Sequence, residues 1–213
     1  MMKKQIIFSA FSFIISLVIW IFSYPKLPST LPAHWDINGN INHYASKMQV
    51  MLVFLGLMIV INILFVIIPL IDPKLKNNKT SLKNQNRIQL VTNAFFIIIN
   101  VMVVYTGFHH STSSPEIIFF IVGVLFIFLG NYSFSLKQNF FIGIRTPWTL
   151  SNEEVWNKTN RFGAILLIIF GICICLGGFL PGILPSIILI ICLVLMVAFP
   201  LVYSYWTYKK INR

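Results

Sequence analysis

Residues 162–208 read FGAILLIIFGICICLGGFLPGILPSIILIICLVLMVAFPLVYSYWTY, 47 positions without a charge, bounded by Arg161 and Lys209. One straight helix of that length would run about 70 Å at 1.5 Å per residue. That is more than twice the roughly 30 Å of a bilayer's hydrocarbon core. The run must fold back, and Leu180-Pro181-Gly182-Ile183-Leu184-Pro185 supplies the reversal, because proline and glycine together break a helix. The expectation is a tight helical hairpin in lipid, with spans near 162–180 and 183–206.

The rest of the chain has the same character. Of its 213 residues 57% are hydrophobic and only 10% charged, with a mean hydropathy of +0.84, whereas a soluble chain is about a quarter charged. A window of about 20 apolar residues finds four further spans, near 5–24, 49–71, 88–108 and 116–136. The expected fold is therefore an all-α integral membrane protein, a bundle of six transmembrane helices. Lys3 and Lys4 before the first span also suit a secretory signal peptide. The apolar stretch is long, however, and Trp20, Phe22 and Tyr24 stand where a cleavage site needs small residues, so an uncleaved anchor is expected. The chain divides into residues 1–71, the first two spans with an outer loop at 25–48, and residues 72–213, four further spans with an inner loop at 137–161.

Lys and Arg are retained on the cytoplasmic side of a membrane. With six spans and an inner N-terminus, the inner segments carry Lys3, Lys4, Lys74, Lys76, Lys79, Lys83, Arg87, Lys137, Arg145, Lys158, Arg161, Lys209, Lys210 and Arg213. Only Lys26 and Lys47 remain outside. Both termini are thus expected in the cytoplasm of a bacterial plasma-membrane protein. The net charge of +11 would suggest a nucleic-acid partner in a soluble domain. Here the membrane accounts for it, with anionic lipids as natural partners of the same residues.

Three cysteines, Cys173, Cys175 and Cys192, fall inside apolar runs and match neither a zinc spacing nor a disulfide framework. Within lipid, helices associate through small and polar residues. Ser9, Ser12, Ser16 and Ser23 share one face of the first span, and Gly171, Cys175 and Gly178 one face of the fifth, so both stripes are read as helix contacts. Asn62, Asn93 and Asn100 sit at membrane depth, where each amide needs a partner. No charged residue lies well inside a span and no internal repeat is evident, which leaves a small transporter or exporter of a peptide or amphiphile as the alternative function. No nucleophile with a nearby base, HExxH pattern, phosphate-cradling glycine loop or pair of intramembrane aspartates is present, so no enzyme, cofactor or metal is expected.

Two connecting segments carry the information. The outer loop contains prolines 25, 28 and 32, then His34-Trp35-Asp36-Ile37-Asn38-Gly39, then His43-Tyr44-Ala45-Ser46-Lys47. Asn38-Gly39 is a tight-turn signal, and Trp35 and Tyr44 suit the membrane interface. The segment reads as a built cap, either closing the helix ends or recognising something from outside. The histidines 34, 43, 109 and 110, all expected outside, could ligate a metal or respond to pH, but their spacing specifies neither. The inner loop runs Asn139-Phe140-Phe141-Ile142-Gly143-Ile144-Arg145-Thr146-Pro147-Trp148-Thr149-Leu150-Ser151-Asn152-Glu153-Glu154-Val155-Trp156. Ser151 and Glu154 have capping-box spacing, predicting a short interfacial helix from near Asn152 that turns into span five, with Val155, Trp156 and Thr159 on one side. Arg145, between Gly143 and Pro147 and beside Trp148, could anchor the loop to Glu153 or Glu154, present a cation to a partner, or snorkel to headgroups.

The pattern Leu-Pro-x-x-x-Pro-x-His34-Trp35-x-x-x-Gly39 ending in Tyr44-Ala45-Ser46-Lys47 resembles the outer-loop signature of the SdpI family of bacterial membrane immunity proteins. The stretch Asn139-x-x-x-Gly143-Ile144-Arg145-Thr146-Pro147-Trp148-Thr149-Leu150, with Glu153, Glu154, Trp156 and Asn160-Arg161-Phe162-Gly163, resembles that family's second signature. The resemblance implies a multi-pass plasma-membrane protein that protects a bacterium against a secreted, membrane-active peptide toxin. It also implies a signalling role in which toxin binding leads the protein to hold a transcriptional repressor at the membrane. The residues it singles out for toxin recognition are His34, Trp35, Asn38, Gly39, Tyr44 and Lys47. For inner docking or loop structure they are Asn139, Gly143, Arg145, Thr146, Pro147, Trp148, Glu153, Glu154 and Trp156.

Overall fold

A computed structural model describes residues 2–36, 41–109 and 115–212. Helix α1 (Met2–Ser23) ends in a 3-10 turn (Tyr24–Lys26) and is followed by a two-stranded antiparallel hairpin, β1 (Thr30–Trp35) and β2 (Ile41–Ser46). Then come α2 (Lys47–Ile71), the short α3 (Pro73–Lys76), α4 (Lys79–His109), α5 (Pro115–Ser133), the short α6 (Pro147–Ser151), α7 (Glu153–Gly177) and α8 (Leu184–Ile211). Among the described residues six helices are long and apolar enough to cross a membrane, the number expected.

Their boundaries differ from the hydropathy reading at two places. The third spanning helix begins at Lys79 rather than near residue 88, and the fifth at Glu153 rather than near 162. Both extensions are polar, so a hydropathy window passes over them; each starts at an asparagine side chain that caps free backbone N–H groups. Asn78 Oδ1 accepts the Ser81 N–H at 2.9 Å at the start of α4, and Asn152 Oδ1 accepts from Glu154 and Val155 at the start of α7. At 31 residues, α4 is about 46 Å long and projects beyond the hydrocarbon. The last two spans form the expected hairpin, with Gly182 at φ 65°, a left-handed conformation that glycine adopts without a Cβ penalty.

The helices form two groups. In the first, α1, α2 and α4 pack together beneath the hairpin. The buried face of α1 is Gln5, Ser9, Ser12, Ser16 and Trp20, repeating every three to four residues as one helical stripe must; Ile7 and Phe22 face outward. This serine stripe meets a polar seam on α4. Gln89 Nε2 donates to Ser9 Oγ at 2.6 Å, Asn62 and Asn93 exchange amide hydrogen bonds at 2.8 and 2.9 Å, and the Trp20 indole donates to Asn100 Oδ1 at 2.6 Å. Gln5 also pairs with Asn86. Asn62, Asn93 and Asn100 thus each have a partner across a helix interface, which is how amides are accommodated at membrane depth.

The second group is α5, α7 and α8, in which α7 is central: half of its spanning window is buried, against 11% for α5 and for α8. Here backbones touch. A Cβ added to Gly171 would lie 2.6 Å from the Gly123 carbonyl oxygen, and one added to Gly130 would lie 2.6 Å from that of Ala164. Glycines seven residues apart on α5 thus face the small-residue stripe of α7, which allows the close approach that drives association in lipid. Contact between α4 and α5 joins the two groups.

Candidate functional site

The two information-bearing segments fold at opposite ends of the bundle. At one end the hairpin pairs Thr30 with Ser46 and Leu31 with Ala45, with register irregularities around His34. Its inner side is apolar: Leu31 is fully buried, and with Leu27 it packs against Trp20, Val50, Val103 and Val104. Gly107 of α4 lies directly beneath, since a Cβ there would meet Leu31 and Leu27 methyl groups at 2.6 and 2.7 Å. Ser46 caps α2 in a capping box with Gln49, so strand and helix join without slack.

Lys47 completes the staple. Its ammonium donates to the Tyr24 and Leu27 carbonyls at 2.8 and 3.0 Å and lies 4.5 Å from the centre of the Tyr24 ring. Among the described side chains of the recognition residues read from the sequence, it is the one turned inward to hold the cap. His34, His43 and Tyr44 are exposed on the hairpin, and His34 Nδ1 lies 2.6 Å from Asn42 Oδ1. Trp35 is the last residue of β1. Asn38 and Gly39, and with them the tight-turn reading, lie outside the described residues, as does His110. Among the described residues no group of three His, Cys, Asp or Glu side chains could share a metal ion.

At the other end, residues 134–152 fold into a compact loop around buried amides. Asn139 is 1% exposed; its Oδ1 accepts the N–H groups of Phe141 and Ile142, and its Nδ2 donates to the carbonyls of Lys137 and Ile142. Gly143 follows at φ 120°, and a Cβ there would lie 2.5 Å from Asn160 Oδ1 and 3.1 Å from the Trp156 ring. That oxygen instead accepts the Ile144 N–H at 2.7 Å. Only a residue without a side chain allows both the backbone angle and the approach. Trp156 is fully buried, with its indole donating to the Leu136 carbonyl at 3.1 Å.

Thr146 opens α6 in a capping box with Thr149, and Pro147 occupies the first helical position, where its missing N–H costs nothing. Trp148 is half-buried and lies edge-on to Tyr205 of α8, with ring centres 5.2 Å apart. The predicted Ser151–Glu154 capping box does not form. Ser151 ends α6, its hydroxyl donating to the Trp148 carbonyl at 3.1 Å, and Asn152 is the cap of α7. That one-residue shift puts Glu154 at the second helical position, from which it cannot return to the cap's N–H. It pairs instead with Lys158 at 2.7 Å. Nor does a short helix turn into span five: α7 runs unbroken from Glu153, and the separate short helix is α6.

Arg145 anchors nothing. It is exposed and forms no ion pair among the described residues, so the anchoring to Glu153 or Glu154 expected from the sequence is replaced by Asn160 holding Ile144. Glu153 is exposed as well. Arg145, Pro147, Glu153, Glu154 and part of Trp148 therefore belong to the accessible surface here, whereas Asn139, Thr146 and Trp156 are buried beneath it and Gly143 shapes the turn between.

Two residues central to this end escape the sequence reading. Asp72, fully buried, accepts from Lys74 and Leu75 at the start of α3 and from Phe140 at 2.7 Å, tying α3 to the loop. Its signal is Asp followed by Pro73, a cap residue before a first-turn proline. Gln138 donates to the Thr149 and Leu150 carbonyls and accepts from Lys74, which no spacing rule foretells.

Residues 135–204 match the family model described as the SdpI/YfhL protein family, and residues 11–60 match a domain of unknown function, DUF1648. The immunity protein SdpI of Bacillus subtilis strain 168 is 29% identical over 217 residues, covering 99% of either chain. No solved structure matches.

Proposed function

The chain belongs to the SdpI/YfhL family, and from that premise we propose that it is a multi-pass membrane immunity protein whose hairpin captures a secreted, membrane-active peptide at the outer face. The observation that carries this is the hairpin itself. Its inner side is stapled to the bundle through Leu31, Leu27 and Lys47, while His34, His43 and Tyr44 remain exposed on a two-stranded frame. A platform held to the bundle, with exposed imidazoles and a phenol, suits recognition, because little ordering remains to be done on binding. Capture there would stop the peptide before it inserts and dissipates the proton gradient.

The charge count puts this end outside and the Arg145 loop inside, with both termini cytoplasmic. On that orientation the exposed Arg145, with Pro147, Trp148, Glu153 and Glu154, offers a cytoplasmic docking surface for a transcriptional repressor held at the membrane after toxin binding.

Energy dependence tests capture against export. Membrane vesicles containing the protein are de-energised and exposed to the family's secreted killing peptide. Retained peptide on protein-containing vesicles, lost in H34A/Y44A at equal protein abundance, is the expected result. Peptide clearance that requires an energised membrane would instead identify an exporter.

A further inference from the structure

At the same end as the Arg145 loop, a groove of about 870 Å³ opens between the start of α7 and the end of α8. Three lysines line it, Lys158, Lys209 and Lys210, with Tyr203, Tyr205 and Trp206 as aromatic walls. Two of the walls are fixed by neighbours: Tyr203 stacks on Phe162 with ring centres 4.5 Å apart, and Tyr205 meets Trp148 at 5.2 Å. Lys158 is engaged by Glu154. Lys209 and Lys210 are exposed and form no ion pair among the described residues, so the groove carries two cations without a counter-charge.

Below the groove along α8 lie Val194, Val197, Leu201 and Val202, all between 46% and 64% exposed. A cationic, aromatic-walled groove continuous with a lipid-facing apolar strip matches a ligand with an anionic head and long apolar tails. We propose that it is a binding site for an anionic phospholipid, with the phosphodiester held by Lys209 and Lys210 and the acyl chains lying along α8. Free phosphate would leave the apolar strip unused. The site is separate from the hairpin and does not depend on the capture reading.

The test uses the full-length protein purified in detergent and followed by native mass spectrometry. It is titrated with phosphatidylglycerol or with phosphatidylcholine of the same chains. Phosphatidylglycerol should be retained preferentially. The K209Q/K210Q variant should lose that affinity by about fivefold for each charge removed, with phosphatidylcholine retention unchanged and K209R/K210R behaving like the parent. A melting curve for each variant separates lost binding from lost fold, and K210Q alone serves if the double variant is unstable. Equal retention of the two lipids, or unaltered phosphatidylglycerol binding in a folded K209Q/K210Q protein, would overturn the proposal. So would displacement of the lipid by millimolar inorganic phosphate or by an acidic peptide, because the head alone would then account for binding.

Discussion

Gly143 and Arg145 stand two residues apart in one motif and do opposite things. Gly143 sits at φ 120° with Asn160 Oδ1 where a Cβ would go, so Gly143→Ala should cost more than the roughly 1–3 kcal/mol of left-handed strain alone. A fall in the melting temperature of the detergent-purified protein would register it. Arg145→Ala should leave that temperature within the narrow range of a surface change, about 0.5 kcal/mol, because the side chain is exposed and forms no ion pair among the described residues. If Arg145 docks a partner, its replacement changes only a signalling readout. The motif is legible in the sequence as a block, but its division into buried scaffold and free surface is not. Spacing cannot show that Asn160, sixteen residues on, is the group that holds Ile144.

The helices themselves are far more legible, because length and apolar composition are enough to find a span. What hydropathy misses is polar helix held by protein rather than exposed to lipid, as at Lys79 to Arg87 and at Glu153 to Arg161. The Gln85, Gln89 and Asn93 repeat on α4 announces a seam at four-residue spacing, yet its partners Ser9 and Asn62 come from two other helices and require the fold. Glycine contacts and amide bonds should differ in weight. Asn93→Ala removes both interhelical hydrogen bonds to Asn62 and should cost about 0.5–2 kcal/mol. Gly171→Val drives a side chain into the Gly123 carbonyl and should abolish the α5–α7 contact, with the protein lost from the membrane fraction. Comparable abundance of the two variants would mean that the glycine contact is not what holds the second group together.

At the scale of the whole molecule, the hairpin and the Arg145 loop occupy opposite ends, and the proposed orientation, with the hairpin outside and the Arg145 loop inside, rests on the positive-inside bias. With the native cysteines replaced by alanine, Ser29→Cys should react with an impermeant thiol reagent in intact cells and Ser135→Cys only after permeabilisation; the reverse pattern would invert the orientation. The central claim is immunity. It is tested most directly by producing the protein in a toxin-sensitive bacterium, challenging it with the family's secreted killing peptide, and following survival and membrane potential beside an empty-vector control. The account predicts survival with the potential maintained. Collapse of the potential in cells whose membranes contain the folded protein would contradict it.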